Sequence, residues 1–329
     1  MFTLLAYILL YAEGLNVSDF SRFLNPGLDK QTVLSIGWSN KVGQRLSEAQ
    51  GSLLLQNARL QSSGHRLWLE CLIFLFLFLL SSLLQNLLIA TGRHMLPFVL
   101  SLAGSGSADI PHARSNAYFF ILLFSSAVFI AIPLLYCRVA ERRTFASMGF
   151  HRHHIAREYA LGFLAGALMF AAAVFLNFLF GAARWAENTI PCSFPILGIY
   201  LTGYIVQGMS EEVLCRGYFM LSAARRSSAA AAVLANSLVF ALLHIQNNGI
   251  ALLPLMNLTL FGLFISLWVL WRGSIWSAAA LHTAWNFVQG NIFGIRVSGL
   301  PVTDSVRQVS LEETKGFING GDFGLEGGV

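Results

Sequence analysis

Residues 208–220 read GMSEEVLCRGYFM, which places Glu211, Glu212 and Arg216 inside an apolar run extending from Phe194 to about Leu221. A charged side chain at the centre of a membrane-spanning helix costs roughly 2.5 to 3.5 kcal/mol on insertion scales. Three of them within two helical turns therefore need partners elsewhere in the chain, and intramembrane ionisable groups mark functional sites by default. If this run spans a bilayer, the rest of the sequence must supply further spans and the polar residues that answer these charges.

The composition supports that reading. The 329 residues are 56% hydrophobic and 11% charged, a profile of polytopic membrane proteins rather than soluble domains. The net charge of +5 comes largely from arginines in short loops, so it reports topology. Basic runs interleaved with aromatics are absent, which argues against a nucleic-acid partner and leaves the lipid bilayer as the first partner. Cys71, Cys137, Cys192 and Cys215 are scattered without a C-x-x-C pair, so neither a disulfide framework nor a zinc finger is expected. The N-terminal FTLLAYILLYA lacks a preceding basic region and a convincing cleavage site. It reads as an interfacial helix or part of an extra span rather than a signal peptide.

A span needs about 20 apolar residues. Seven segments qualify: Leu67 to Ala90, Tyr118 to Cys137, Tyr159 to Phe180, Phe194 to about Leu221, Ala229 to about Ile245, Ile250 to Trp271, and Ile275 to about Phe293. The expected fold is all-α, a polytopic transmembrane helical bundle of about seven to eight spans. Residues 1–66 form a mixed N-terminal region, cytoplasmic or interfacial; 67–293 form the transmembrane core; 294–329 form a Gly-rich tail too poor in apolar residues to span. The basic connections carrying Arg138, Arg142, Arg143, Arg152 and Arg157, then Arg225 and Arg226, then Arg272, fall on one side when seven spans are counted. The positive-inside rule puts that side in the cytoplasm.

Two histidines lie within apolar runs, His244 and His282, the latter with Asn286 one turn later. Residues four apart share a helix face, so Glu212 can pair with Arg216, Phe240 can shield His244, and His282 and Asn286 can point together. The basic turn at Arg225 lies near the midpoint between Glu211 and His244, so an antiparallel hairpin brings both to similar depth. A carboxylate beside an imidazole can take a proton from water, and Asn and His can donate to the oxyanion formed when that water attacks an amide.

Blander readings apply to each residue taken singly. A lone intramembrane histidine is more often a hydrogen-bonded packing residue, and Glu212 with Arg216 can be a structural ion pair. Cys215 reads as core packing rather than a nucleophile. Trp268, Trp271, Trp276 and Trp285 read as interfacial anchors or packing, His151, His153 and His154 as a solvated basic loop, and Glu70 as a side chain snorkelling to the interface.

Taken together, Glu211-Glu212-Val213-Leu214-Cys215-Arg216, Phe240-Ala241-Leu242-Leu243-His244 and His282-Thr283-Ala284-Trp285-Asn286 reproduce, in order, the motifs E-E-x-x-x-R, F-x-x-x-H and H-x-x-x-N. The chain in this respect resembles the CPBP family of intramembrane glutamic endopeptidases, which includes CAAX prenyl proteases and bacteriocin-processing, Abi-type membrane proteins. The resemblance covers about Tyr118 to Asn291. It implies a membrane-embedded peptidase acting on a peptide or membrane-protein substrate, in which Glu211 activates water with His244, His282 and Asn286 form the oxyanion site, and Glu212, Arg216 and Phe240 support them. It also implies a multi-pass protein of the bacterial cytoplasmic membrane. No cofactor is expected: H-E-x-x-H is absent, and although a Glu/His/His set offers donors suited to zinc, the metal-free reading is preferred. The alternatives are a non-catalytic CPBP-like scaffold or regulator and, as a different class, a proton-coupled transporter, against which the lack of repeat symmetry counts.

Overall fold

The computed structural model describes residues 50–61, 65–102, 110–152, 154–188 and 193–329. Most of the N-terminal region, together with His153 and Cys192, lies outside them. All seven expected segments are helical. They are α2 (Leu67–Leu102), α3 (Ile110–Ser125) continued across a short break by α4 (Val128–Val139), α5 (Ile155–Leu179), α6 (Phe194–Glu212), α7 (Ala229–Leu242), α8 (Leu252–Arg272) and α9 (Trp276–Phe287). A helix α1 (Gln50–Gln61) precedes them. Among the described residues, four helical stretches are long and apolar enough to cross a membrane: Leu67–Phe98, Pro111–Val139, Ile155–Leu179 and Leu252–Arg272. Ala229–Leu242 is a shorter apolar helix. The chain is thus a helical membrane bundle, and its exposed leucines and phenylalanines on α2 and α5 are what a lipid-facing surface requires.

Helix ends follow local chemistry. Ser193 and Pro195 open α6, proline being preorganised for a first turn. The Ser228 hydroxyl accepts from Ala231 N (3.1 Å) to cap α7. Gly273, at φ 61°, ends α8 in the left-handed conformation that glycine adopts without steric cost, which makes the turn into α9 tight. Two interruptions could not be read from periodicity. α6 passes into a π-helical stretch, Val213–Met220, and α9 into another, Val288–Ile292. Pairing five residues apart widens the helix immediately after Glu212 and after Asn286.

The core is arranged around α9, which packs against α5 and α6 and is almost wholly buried. Backbone proximity explains the contact. A Cβ added at Gly166 on α5 would collide with the Leu281 carbonyl, and one at Gly208 on α6 would lie 2.8 Å from Thr283 Oγ1 and 2.9 Å from Thr283 N. Helices approach this closely where small residues line the seam. α7 packs on α8.

The basic connections expected on one side do meet at one end of the bundle. Arg225 pairs with Glu70 (3.0 Å) and with Glu141 (2.5 Å), and Arg143, itself buried, pairs with Glu141 (3.1 Å) and donates to Ser222 Oγ (2.7 Å). Arg272 pairs with Glu158, and Ile275 N donates to Gly149 O (3.0 Å). Glu70 therefore does not snorkel: it is fully buried, because Arg225, 155 positions away, neutralises it there. His65 also reaches Glu70 and Glu141, but Arg225 already serves both carboxylates.

The tail after α9 folds back onto the bundle. Its strand β2 (Gln308–Leu311) pairs antiparallel with β1 (Ala183–Ala186), with Ala183 opposite Leu311. Phe323 and Leu325 are buried against the core.

Gly166→Ala and Gly208→Ala should each destabilise the folded protein by about 1–3 kcal/mol through overpacking at α9. Thermal unfolding of the detergent-solubilised protein checks this, with Gly198→Ala, where an added Cβ meets nothing within 4 Å, as the neutral control.

Candidate active site

Adjacent residues on a helix point about 100° apart, so Glu211 and Glu212 cannot do the same job. Glu212 points into the protein, where it is fully buried. Its Oε1 accepts from Arg216 Nη1 (2.9 Å), one turn further on, and from His282 Nδ1 of α9 (2.9 Å). Arg216 is also fully buried. Its guanidinium lies 4.4 Å from the centre of the Phe240 ring and donates through Nη2 to Gly262 O of α8 (3.3 Å). The expected pairing of Glu212 with Arg216 is present, and Phe240 packs on both the guanidinium and the His244 ring, the latter at 4.9 Å.

Glu211 faces the other way, into a cavity of about 240 Å³. His244, His282 and Asn286 line the same cavity, with Gln207, Ser210 and Ser298. Its far wall is apolar and comes from α2, α3 and α4 through Phe78, Phe119, Leu122 and Phe129. The four residues singled out in sequence thus border one space; Phe240 joins the lining, and Glu212 and Arg216 stand behind it.

The contacts within the set are specific. His282 Nδ1 faces a carboxylate that can only accept, so it carries the proton, and His282 Nε2 lies 3.5 Å from Glu211 Oε2. His244 Nδ1 lies 2.9 Å from the Phe240 carbonyl, again an acceptor, so Nδ1 carries a hydrogen and Nε2 is the nitrogen left for other partners. Glu211 therefore has His282, not His244, as its direct imidazole neighbour, and His244 shares the cavity with it.

Gln207 was not singled out in sequence. Its side-chain NH₂ donates to Glu211 Oε1, and its Oε1 accepts from Asn286 Nδ2 (2.9 Å). It thereby fixes the rotamers of the acid on α6 and the amide on α9. The signal was available: Gln207 lies four residues before Glu211, on the same helix face. Two residues beyond the motifs also border the site, Ser298 of the loop after α9 and Glu326 of the tail. Of the blander readings, Cys215 is a buried free thiol, Trp285 is buried packing, and His154 is exposed.

Residues 193–288 match the family model of type II CAAX prenyl endopeptidase Rce1-like. The matched stretch contains α6, α7, α8 and α9 and all three motifs, and it is what a CPBP family protein carries. The chain matches none of the curated proteins and none of the solved structures.

Arg216→Ala should destabilise the protein by about 3–5 kcal/mol, because it strands the Glu212 carboxylate in the interior. Arg216→Lys should recover only part of this, since an ammonium cannot lie flat on Phe240 while reaching Gly262. Glu211→Gln, at a side chain open to the cavity, should change unfolding little. Denaturant titration in micelles compares the three.

Proposed function

We propose that the Rce1-like segment, residues 193–288, makes this chain a CAAX-type intramembrane protease in which Glu211 and His244 activate water and His282 and Asn286 hold the oxyanion. The observation that carries the reading is the state of Glu211. Its Oε1 is held by Gln207, while the buried Oε2 makes no hydrogen bond and lies 3.5 Å from His282 Nε2, on a side chain that borders a cavity shared with two imidazoles and an amide. A carboxylate with one oxygen anchored and the other beside an imidazole is arranged to take a proton.

The steps follow from the donors. Water in the cavity loses a proton to Glu211 Oε2, with Nε2 of His244 orienting it, and its oxygen attacks the carbonyl carbon of the peptide bond. Asn286 Nδ2 uses one hydrogen on Gln207 and retains a second for the oxyanion; His282 Nε2 supplies the other donor when protonated. The proton held between Glu211 and His282 then passes to the leaving nitrogen, giving a carboxylate and an amine. Glu212 and Arg216 remain an ion pair throughout and keep His282 Nδ1 engaged.

The proposed route needs no metal: among the described residues the donor atoms of Glu211, His244 and His282 do not all lie within ion-sharing distance of one another, and the steps above use only side-chain groups. The substrate is a peptide or a membrane-protein segment whose residues beside the scissile bond are apolar, matching the phenylalanine-lined wall.

Purified protein should cleave an internally quenched farnesylated C-a-a-X peptide or its unprenylated counterpart. Glu211→Ala and His244→Ala should each abolish the signal, and Asn286→Ala should lower kcat by about 10²–10³ with little change in KM. Retained cleavage by Glu211→Ala overturns the mechanism. Loss of activity with a chelator, restored by zinc, overturns its metal-free form.

A further inference from the structure

The tail reaches the site from outside the three motifs. Asn257 on α8 donates to the carbonyls of Glu326 (3.0 Å) and Gly328 (2.6 Å), and Gly299 N donates to Phe323 O (2.8 Å). These bonds turn the Glu326 side chain into the protein, where it is buried. Its Oε1 accepts from Trp285 Nε1 (3.1 Å), and its Oε2 accepts from both the backbone N–H (2.9 Å) and the hydroxyl (2.7 Å) of Ser298.

Both partners matter to the active site. Trp285 precedes Asn286 on α9. Ser298 lines the main cavity and holds a left-handed backbone, φ 47°, that a non-glycine residue keeps only under constraint. Glu326 takes both of its donors, and Asn247, three residues after His244, grips its carbonyl (2.9 Å).

Behind the main cavity lies a second of about 20 Å³, bounded by Glu326, Ser298, Asn257, His244, His282 and Asn286. That volume holds about one water, and its polar walls offer that water partners. Of the residues bounding it, Glu326, His244 and His282 titrate, and the others are neutral.

We propose that Glu326 is a positioning residue of the hydrolytic site. It locks Ser298 and Trp285 and, across a one-water cavity, presents a third carboxyl group to His244 and His282, governing their orientation and charge. This rests on the protease reading and adds to it a residue outside the matched segment. Burial pushes the Glu326 carboxyl up to about 7, against the pull of hydrogen bonds from Ser298 and Trp285. It therefore changes charge in the range where imidazoles do: neutral below about pH 7, and above it a counter-charge that favours protonated histidine.

The test records ring resonances of ¹⁵N-histidine-labelled protein in micelles against pH for wild type, Glu326→Gln and Asp322→Asn, an exposed charge on the same tail that pairs with Arg296. The pH profiles of the His244 and His282 ring resonances should change in Glu326→Gln and stay in place in Asp322→Asn. Unchanged profiles in Glu326→Gln overturn the proposal. If that variant does not fold, Ser298→Ala serves: losing one hydrogen bond to the carboxylate should raise the Glu326 titration, read as an altered histidine profile, and an unaltered profile overturns the proposal. With the peptide probes, kcat of Glu326→Gln should fall roughly ten- to a hundredfold with KM within about twofold. Glu211→Ala, run alongside, separates the two ideas. Cleavage that survives it removes the base assignment, whereas Glu211-dependent cleavage with unchanged histidine profiles removes only the role of Glu326.

Discussion

The buried Glu212 carboxylate, shared by Arg216 and His282, is the constraint around which the bundle is organised. Neither charge could lie in the interior alone: an unpaired buried ion costs several kcal/mol after relaxation. Together they dictate neighbours. Glu212 and Arg216 sit on α6 and its π-helical extension, His282 on α9, the carbonyl of Gly262 on α8, and the Phe240 ring on α7. One ion pair thus sets the rotation of four helices about their axes. Because Glu211 is the residue just before it on α6, fixing Glu212 inward commits Glu211 to the cavity.

This divides the labour of the EE pair in physical terms. The second acid is fully buried and its Oε1 accepts two hydrogen bonds, from Arg216 and His282; the first is partly exposed and keeps one oxygen without a hydrogen bond, beside His282. In the proposed mechanism the first acid changes protonation during reaction and the second does not. The π-helical turns after Glu212 and after Asn286 fit the same scheme, since local widening of a helix re-aims side chains where a site needs a spacing that the α-helix does not offer.

Much of this was legible in the sequence. Apolar runs located all seven helical segments, because an unbroken apolar run of about 20 residues in lipid satisfies its backbone as a helix, and spacing by four placed Glu212 with Arg216 and His282 with Asn286. Pairings between distant segments were harder. Glu70 looked like an interfacial acid because its neighbours in sequence are apolar; its partner Arg225 is remote and became visible only once the loops met. Gln207 obeyed the same spacing as the motifs but carries no charge, and polar amides in apolar runs attract less suspicion. Glu326 and Ser298 had no periodic signal at all. The tail is glycine-rich, and what orders it is a set of hydrogen bonds to α8, α9 and the 297–300 turn.

The seam between α9 and its neighbours α5 and α6 makes the protein stiff on one side and compliant on the other. Backbones that touch through Gly166 and Gly208 cannot part without losing dense van der Waals contact over the length of α9. The opposite wall of the cavity is made of phenylalanine and leucine side chains on α2, α3 and α4, which can rotate, and α2 presents much of its surface outward. On the proposed protease reading, an extended segment would reach the cavity past the aromatic rings of that flank, while Glu211, His282 and Asn286 stay mounted on the closely packed α6 and α9.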